Sequence, residues 1–76
     1  MDRPAIEQKL EETRRHIAEG GRRIGRQWEI IQELERDGHD AKLARKGLTT
    51  LVQMQEQHIE LRDRLIKMLN ENSLGG

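Results

Sequence analysis

The stretch Asp37-Gly38-His39-Asp40 decides the fold of this chain, because it separates two segments whose apolar residues recur with helical spacing. Gly38 suits the left-handed position that follows a helix, and Asp40 is a good N-cap for a second helix. A connection this short forces two helices to run antiparallel. We therefore predict an all-α fold, an antiparallel two-helix hairpin with helices over about 3–36 and 41–69 and a turn over about 37–40.

The segment before the turn carries one helical seam. Asp2 can cap its first turn, and Pro4 stands where a missing backbone N–H is tolerated. The seam consists of Leu10, Ile17, Ile24 and Ile31, interleaved with Ile6, Thr13, Gly20, Gln27 and Leu34. Gly20 and Gly21 each disfavour a helix by roughly 1 kcal/mol relative to Ala, which raises the alternative of a break. We predict one continuous helix, because the seven-residue phase passes through this pair without a slip.

The segment after the turn has a second seam, whose members alternate in steps of three and four. They are Ala44, Gly47, Leu51, Met54, His58, Leu61, Leu65 and Met68. The periodicity is lost after residue 69. We therefore predict one hairpin domain over 1–70 and a flexible C-terminal tail over 71–76.

Blocks of like charge predict the register of the two helices. The basic block 14–26 would face an acidic stretch at 51–63, and the acidic stretch 29–37 would face basic residues at 40–48. This register places Ile17 near Leu61, Ile24 near Met54 and Ile31 near Gly47. It also places the small Gly20 opposite His58.

Composition excludes several classes of protein. Fourteen basic and fourteen acidic residues cancel, which removes the general attraction of a basic chain to nucleic acid or anionic lipid. The chain has no Cys, which excludes disulfides and thiolate chemistry. It also lacks an apolar run of the length that a signal peptide or membrane span needs. We expect a cytoplasmic protein without membrane contact.

The candidate chemical residues do not form a catalytic or metal-binding motif. His58 is the one polar, ionisable member of its seam, and we find no companion for it at metal-ligand spacing. We interpret it as a structural histidine, with a pH-sensitive contact as the alternative. We therefore expect no enzymatic activity, no metal and no cofactor.

Two other features allow a binding role. A basic face formed by Arg14, Arg15, Arg22, Arg23 and Arg26 could bind phosphates, but a solvated, salt-bridged face is the favoured reading because no aromatic residues are interleaved with the arginines. Trp28 follows the seam residue Gln27. We interpret it as a core residue near the turn, with a partner-binding anchor as the alternative.

An additional apolar stripe on the second helix predicts self-association. It consists of Leu48, Val52, Ile59 and Ile66, about 100° around the helix from its seam. One neighbouring helix cannot cover both stripes, so we predict a homodimer that forms a four-helix bundle through these residues. The favoured function is a non-enzymatic adaptor that binds protein partners. The alternative is a nucleic-acid-binding regulator similar in architecture to the small plasmid Rop protein, using the Arg14 to Arg26 face.

One stretch carries a resemblance to known sequences. The resemblance is carried by His-Ile-Ala-Glu-Gly-Gly-Arg-Arg-Ile-Gly-Arg-Gln from His16, Glu-Leu-Glu-Arg-Asp-Gly-His-Asp up to Asp40, Gln57-His58 and Arg62-Asp63-Arg64-Leu65. The chain resembles small uncharacterised helical proteins of rhizobia and related alphaproteobacteria. The resemblance covers most of residues 13–66. It implies a bacterial cytoplasmic protein and carries over no activity and no functional residue.

Overall fold

The chain folds into an antiparallel helical hairpin. The computed structural model describes the backbone of residues 2–75 and the side chains of residues 2–71. Helix α1 spans Arg3–Arg36 and helix α2 spans Lys42–Gly75, and together they form a rod of 60 × 14 × 14 Å. Residues 2–75 contain no strand. The predicted all-α hairpin is confirmed.

Helix α1 begins with a side-chain cap and continues without a break. The Asp2 carboxylate accepts a hydrogen bond from the backbone N–H of Ala5 at 3.0 Å, which satisfies one of the free donors of the first turn. The helix then runs through Gly20, Gly21 and Gly25 to Arg36. The prediction of one continuous first helix is confirmed.

The turn combines a helix-ending glycine with an acidic residue that caps the next helix. Gly38 has φ +78°, and its N–H donates to the Glu35 carbonyl at 3.1 Å. The N–H of His39 donates to the Leu34 carbonyl at 2.8 Å, which completes a Schellman motif. The Asp40 carboxylate accepts from Lys42 N–H at 2.9 Å. The sequence around Gly38 therefore ends one helix and starts the next within five residues.

Helix α2 is longer than predicted. It continues to Gly75, so the predicted end near residue 69 is wrong. The reason is that residues 70–74 contain neither Gly nor Pro, so the hydrogen-bond ladder can continue where the apolar periodicity stops. The flexibility expected of residues 71–76 stays a prediction. Gly76, the last residue of the predicted tail, lies outside the described residues.

The buried core is divided between the two ends of the hairpin. Ile6, Leu10 and Leu65 form a cluster near the open end, and Leu61, Ile66, Met68 and Leu69 pack against it while partly buried. Ile31 and Ala41 are buried near the turn. Thr13 is buried as well, and its hydroxyl donates to the Lys9 carbonyl at 2.7 Å, so burial leaves no unpaired donor there.

The middle of the hairpin is held by two glutamines, each packed on a glycine of the other helix. Gln27 lies against Gly47, and its Nε2 donates to the Ala44 carbonyl at 2.8 Å. Gln55 lies against Gly20, and its Nε2 donates to the Ile17 carbonyl at 2.8 Å. In both cases the accepting carbonyl lies three residues before the glycine. The same contact is therefore made once in each direction across the interface.

These contacts correct the predicted register. Gly20 meets Gln55, three residues before the expected His58, and Gly47 meets Gln27, four residues before the expected Ile31. Met54, predicted to lie in the seam, is 44% exposed. The predicted register is therefore off by about one helical turn. Charge blocks constrain the register only coarsely, whereas a glutamine that hydrogen-bonds backbone beside a glycine defines it within one turn.

Candidate interaction surface

The hairpin leaves several large apolar side chains in contact with solvent. Trp28 is 45% exposed, Val52 36%, and Leu43 81%. The interpretation of Trp28 as a core residue is therefore wrong. Its neighbour Gln27 points into the helix interface, and one residue along a helix turns the next side chain by about 100°.

Trp28 and Val52 lie on the same side of the hairpin. Near the turn, Arg45 Nη2 contacts both carboxylate oxygens of Glu35, at 2.8 and 2.9 Å, so these two positions mark one side. Trp28 precedes Glu35 by seven residues and Val52 follows Arg45 by seven, which is about two helical turns in each case. The side they share carries Ala18, Gly21, Gly25, Trp28, Leu48, Val52 and Ile59, which we call the tryptophan face. None of these seven residues is charged, but charged residues border them on the same side, among them Glu35, Arg45 and Glu56, which follows Val52 by about one helical turn.

Two glycines make the tryptophan face shallow next to Trp28. A Cβ atom added at Gly25 would meet nothing within 4 Å, and one added at Gly21 would meet only Gln55 Nε2, at 4.0 Å. Neither glycine is therefore required by the contact between α1 and α2. They leave the α1 backbone open to a molecule outside the hairpin.

The predicted dimer stripe is only partly free. Val52 is exposed, while Leu48 and Ile59 are half-buried. Ile66 packs against the Ile6, Leu10 and Leu65 cluster, so part of its surface already serves the hairpin core. The structure adds Trp28 to the candidate surface, because its stripe adjoins that of Val52.

The opposite side of the hairpin carries a small depression. Met54 lies on this opposite side. It follows Val52 by two residues, which turns its side chain by about 200° around α2. The depression holds about 130 Å³ and is lined by His16, Glu19, Gly20, Arg23, Leu51, Met54, Gln55 and His58. The ring centres of His16 and His58 are 5.3 Å apart, with the planes tilted by 39°.

This pair corrects the conclusion that His58 has no companion. The register predicted from the charge blocks sets His16 about one turn away from His58, so the sequence does not predict that the two imidazoles meet. A register derived from Gln55 and Gly20 brings them together. Within the described residues, no group of three or more His, Cys, Asp or Glu is placed to hold a metal ion.

The five arginines of the proposed basic face do not share one face. Arg14 and Arg23 are nine residues apart, which is half a turn around α1. All five are exposed, and the structure, as far as it is described, records no ion pair to any of them. Within the described residues the five arginines are therefore exposed to solvent, as expected, but without the expected salt bridges, and their positive charge is spread around α1.

Comparison with known proteins adds no assignment. No protein-family model matches the chain, and no curated protein and no solved structure shows significant similarity to it. Among residues 2–75, neither helix is long and apolar enough to cross a membrane. The surface of the hairpin therefore carries the evidence for its function.

Proposed function

We propose that the chain is a non-enzymatic interaction module that works as a homodimer, with two hairpins packed through their tryptophan faces into a four-helix bundle. The observation that carries this proposal is the exposed apolar surface of the tryptophan face. This face exposes 45% of Trp28 beside the open Gly21 and Gly25, in a chain of which 37% is charged. Trp is favoured at the centres of protein interfaces.

The accessible surface area of the hairpin supports dimerisation, because it exceeds that of a compact monomer of the same mass. The chain has 5875 Å² of accessible surface and a mass of 8.9 kDa. A compact monomer of that mass would expose about 4,800 Å². The difference is about 1,000 Å², comparable with the roughly 800 Å² that each partner buries in a standard protein interface.

The division of the core supports the same proposal. Its buried apolar residues lie toward the two ends, and the middle of the interface is occupied by Gln27, Gln55 and two glycines. The tryptophan face lies over that middle part. Packing a second hairpin there would give every helix two neighbours and cover the region where one hairpin buries least.

A second copy is the partner we favour, because Glu35 and Arg45, the charged residues that mark this side near the turn, already pair with each other and leave no net charge there for a different partner to complement. The face that remains outside the bundle would then be available to a further protein. The absence of Cys and the resemblance to alphaproteobacterial proteins support the cytoplasm as the place where this occurs.

Sedimentation equilibrium of matched variants tests the proposal. The wild-type chain should sediment with twice its 8.9 kDa mass at tens of micromolar. Val52→Glu places a charge on the tryptophan face and should abolish the dimer. Leu43→Glu and Met54→Glu place the same charge on exposed apolar positions outside this face and should leave the dimer intact.

Two results would overturn this assignment. The first is a wild-type chain that sediments as a single copy and melts cooperatively. The second is dissociation by Met54→Glu as strong as that by Val52→Glu, which would move the interface to the opposite side. Circular dichroism of each variant separates dissociation from loss of the helices.

The alternative function is nucleic-acid binding, and one observation favours it. The five arginines between Arg14 and Arg26 are exposed and none is recorded in an ion pair, so their charge is available to phosphates. Their spread around α1 and the lack of interleaved aromatics oppose it. Retention on heparin or mixed RNA at low salt, lost steeply as salt rises, would establish this alternative. An adaptor would flow through.

A further inference from the structure

The depression opposite the tryptophan face brings together two imidazoles from different helices. His16 comes from α1 and His58 from α2, and their ring centres are 5.3 Å apart. Neither imidazole is recorded in a hydrogen bond or an ion pair within the described residues. Both line a space of about 130 Å³, which is large enough for an ion and several water molecules.

The spacing of the rings matches that of two imidazoles on one metal ion. A zinc–imidazole bond of about 2.0–2.1 Å puts the centre of each ring about 3.2 Å from the metal. Two such rings at a tetrahedral angle have centres about 5.2 Å apart. The observed 5.3 Å is therefore close to the separation that a shared ion requires, once the rings turn so that a nitrogen of each points to it.

A third polar side chain, that of Gln55, lies beside the two imidazoles. Gln55 lines the same depression, and its Oε1 is buried without a hydrogen-bond partner. A buried acceptor left unpaired is destabilising by about 1–3 kcal/mol. Oε1 is packed against Gly20 and is closed to the depression, so a metal-bound water reaches it only if the Gln55 side chain rotates toward the two imidazoles.

We propose that His16 and His58 clamp a divalent transition-metal ion of the class that prefers imidazole, such as Zn²⁺, across the two helices. The remaining coordination positions are filled by water, because no third His, Asp or Glu in the described residues joins the two imidazoles. Glu19 lines the depression and favours a cation, while Arg23 lines it and opposes one. With two protein ligands, the site binds a metal that exchanges rather than a permanent structural ion.

The clamp goes beyond the proposed function and does not depend on it. Both ligands belong to one chain and lie on the side away from the tryptophan face, so a monomer has the same site as a dimer. Because the two ligands are held together only in the folded hairpin, metal binding should stabilise the fold.

Thermal melting of the full chain without a histidine tag tests the clamp. At neutral pH, where zinc stays in solution, about 1 mM ZnCl₂ should raise the wild-type melting temperature by several degrees and MgCl₂ should not. His16→Ala and His58→Ala should each abolish the rise. His39→Ala, which removes the histidine in the turn, is the matched control and should retain it.

Histidine ring signals in proton NMR give a second measurement, which does not depend on stability. Zinc should shift the signals of His16 and His58 at one equivalent per chain and leave those of His39 unchanged. The clamp is overturned if zinc does not raise the wild-type melting temperature, or if it raises that of His16→Ala equally. Sedimentation of the same samples reports the dimer separately, so failure of either proposal is seen without the other.

Discussion

Adding one methyl group at Gly20 should destabilise the hairpin, although the same change at Gly25 should stabilise it. A Cβ atom at Gly20 would overlap Gln55 Oε1 and lie 2.9 Å from Gln55 Cδ. A Cβ atom at Gly25 would meet nothing within 4 Å. Both glycines lie inside α1, so both substitutions gain the same helix propensity, and the difference between them reports the contact with Gln55.

The expected change in the free energy of unfolding combines helix propensity, a lost hydrogen bond and crowding of a packed contact. Gly→Ala inside a helix is favourable by about 0.8–1 kcal/mol, which is the whole expected effect at Gly25 within one hairpin, apart from any contact that a second copy makes there. At Gly20 the methyl group displaces Gln55, which loses a hydrogen bond worth about 1 kcal/mol to the Ile17 carbonyl. Crowding of a packed contact adds about 1–3 kcal/mol, offset in part because the displaced Oε1 reaches water. We expect Gly20→Ala to destabilise by about 1 kcal/mol net.

A double-mutant cycle in urea isolates the contact. In a Gln55→Ala background the obstacle is gone, so Gly20→Ala should become stabilising by about 1 kcal/mol. The coupling energy between the two positions should therefore be about 2 kcal/mol. Unfolding is followed by circular dichroism at one protein concentration, and sedimentation confirms the same oligomeric state, because Gly25 belongs to the tryptophan face.

Two outcomes would refute this reasoning. If Gly20→Ala stabilised as much as Gly25→Ala, Gln55 would not be seated on Gly20. If the coupling energy were below about 0.5 kcal/mol, the two residues would act independently and the register would differ from the one described.

Three further predictions concern the turn, the second glutamine contact and the buried threonine. Gly47→Ala should be nearly neutral, because its Cβ would lie 3.1 Å from Gln27 Nε2 and a small shift suffices; denaturant unfolding checks this. Gly38→Ala should lower the free energy of unfolding by about 1 kcal/mol in the same assay, because φ is +78° at this position. An added Cβ would meet no atom within 4 Å, so backbone strain alone accounts for the effect. Thr13→Val should change the melting temperature little, because the Thr13 hydroxyl bonds a carbonyl of its own helix; a loss above about 2 kcal/mol would contradict this.

Local signals in the sequence were enough for the hairpin itself. The cap at Asp2, the left-handed Gly38 and the acidic Asp40 act through contacts with residues two to five positions away, so they can be read without knowing the partner helix. The α1 seam is likewise local, and all its members are buried or half-buried. The end of α2 is not predicted by apolar periodicity, because the helix continues beyond the last periodic residue.

The residue that completes the α2 seam between Leu51 and His58 is not determined by the sequence pattern alone. The row Leu51, His58 and Leu65 can be completed by Met54 on one side or by Gln55 on the other. Hydrophobicity favours Met54, yet the structure exposes Met54 and half-buries Gln55. Gln55 takes the position because Gly20 leaves space opposite it and the Ile17 carbonyl is within reach.

Some features of the candidate sites follow from helical spacing alone, whereas others depend on the register of the two helices. Helical spacing alone separates Arg14 from Arg23, so the scattered basic face could have been recognised from the sequence. The approach of His16 to His58 could not, because it depends on a register that charge blocks specify only to about one turn. The exposure of Trp28 also depends on which neighbouring residue, Gln27, turns into the interface.

The sequence by itself determined that there are two helices, where the first begins, where the chain turns and that the helices run antiparallel. Tertiary structure alone decided the register and rotation of α2, and with them the tryptophan face and the histidine pair. The physical reason is the range of the interactions. Caps, turns and periodicity act within a few residues of the chain, whereas the register depends on Gln27 and Gln55 finding glycine and a backbone carbonyl on the other helix.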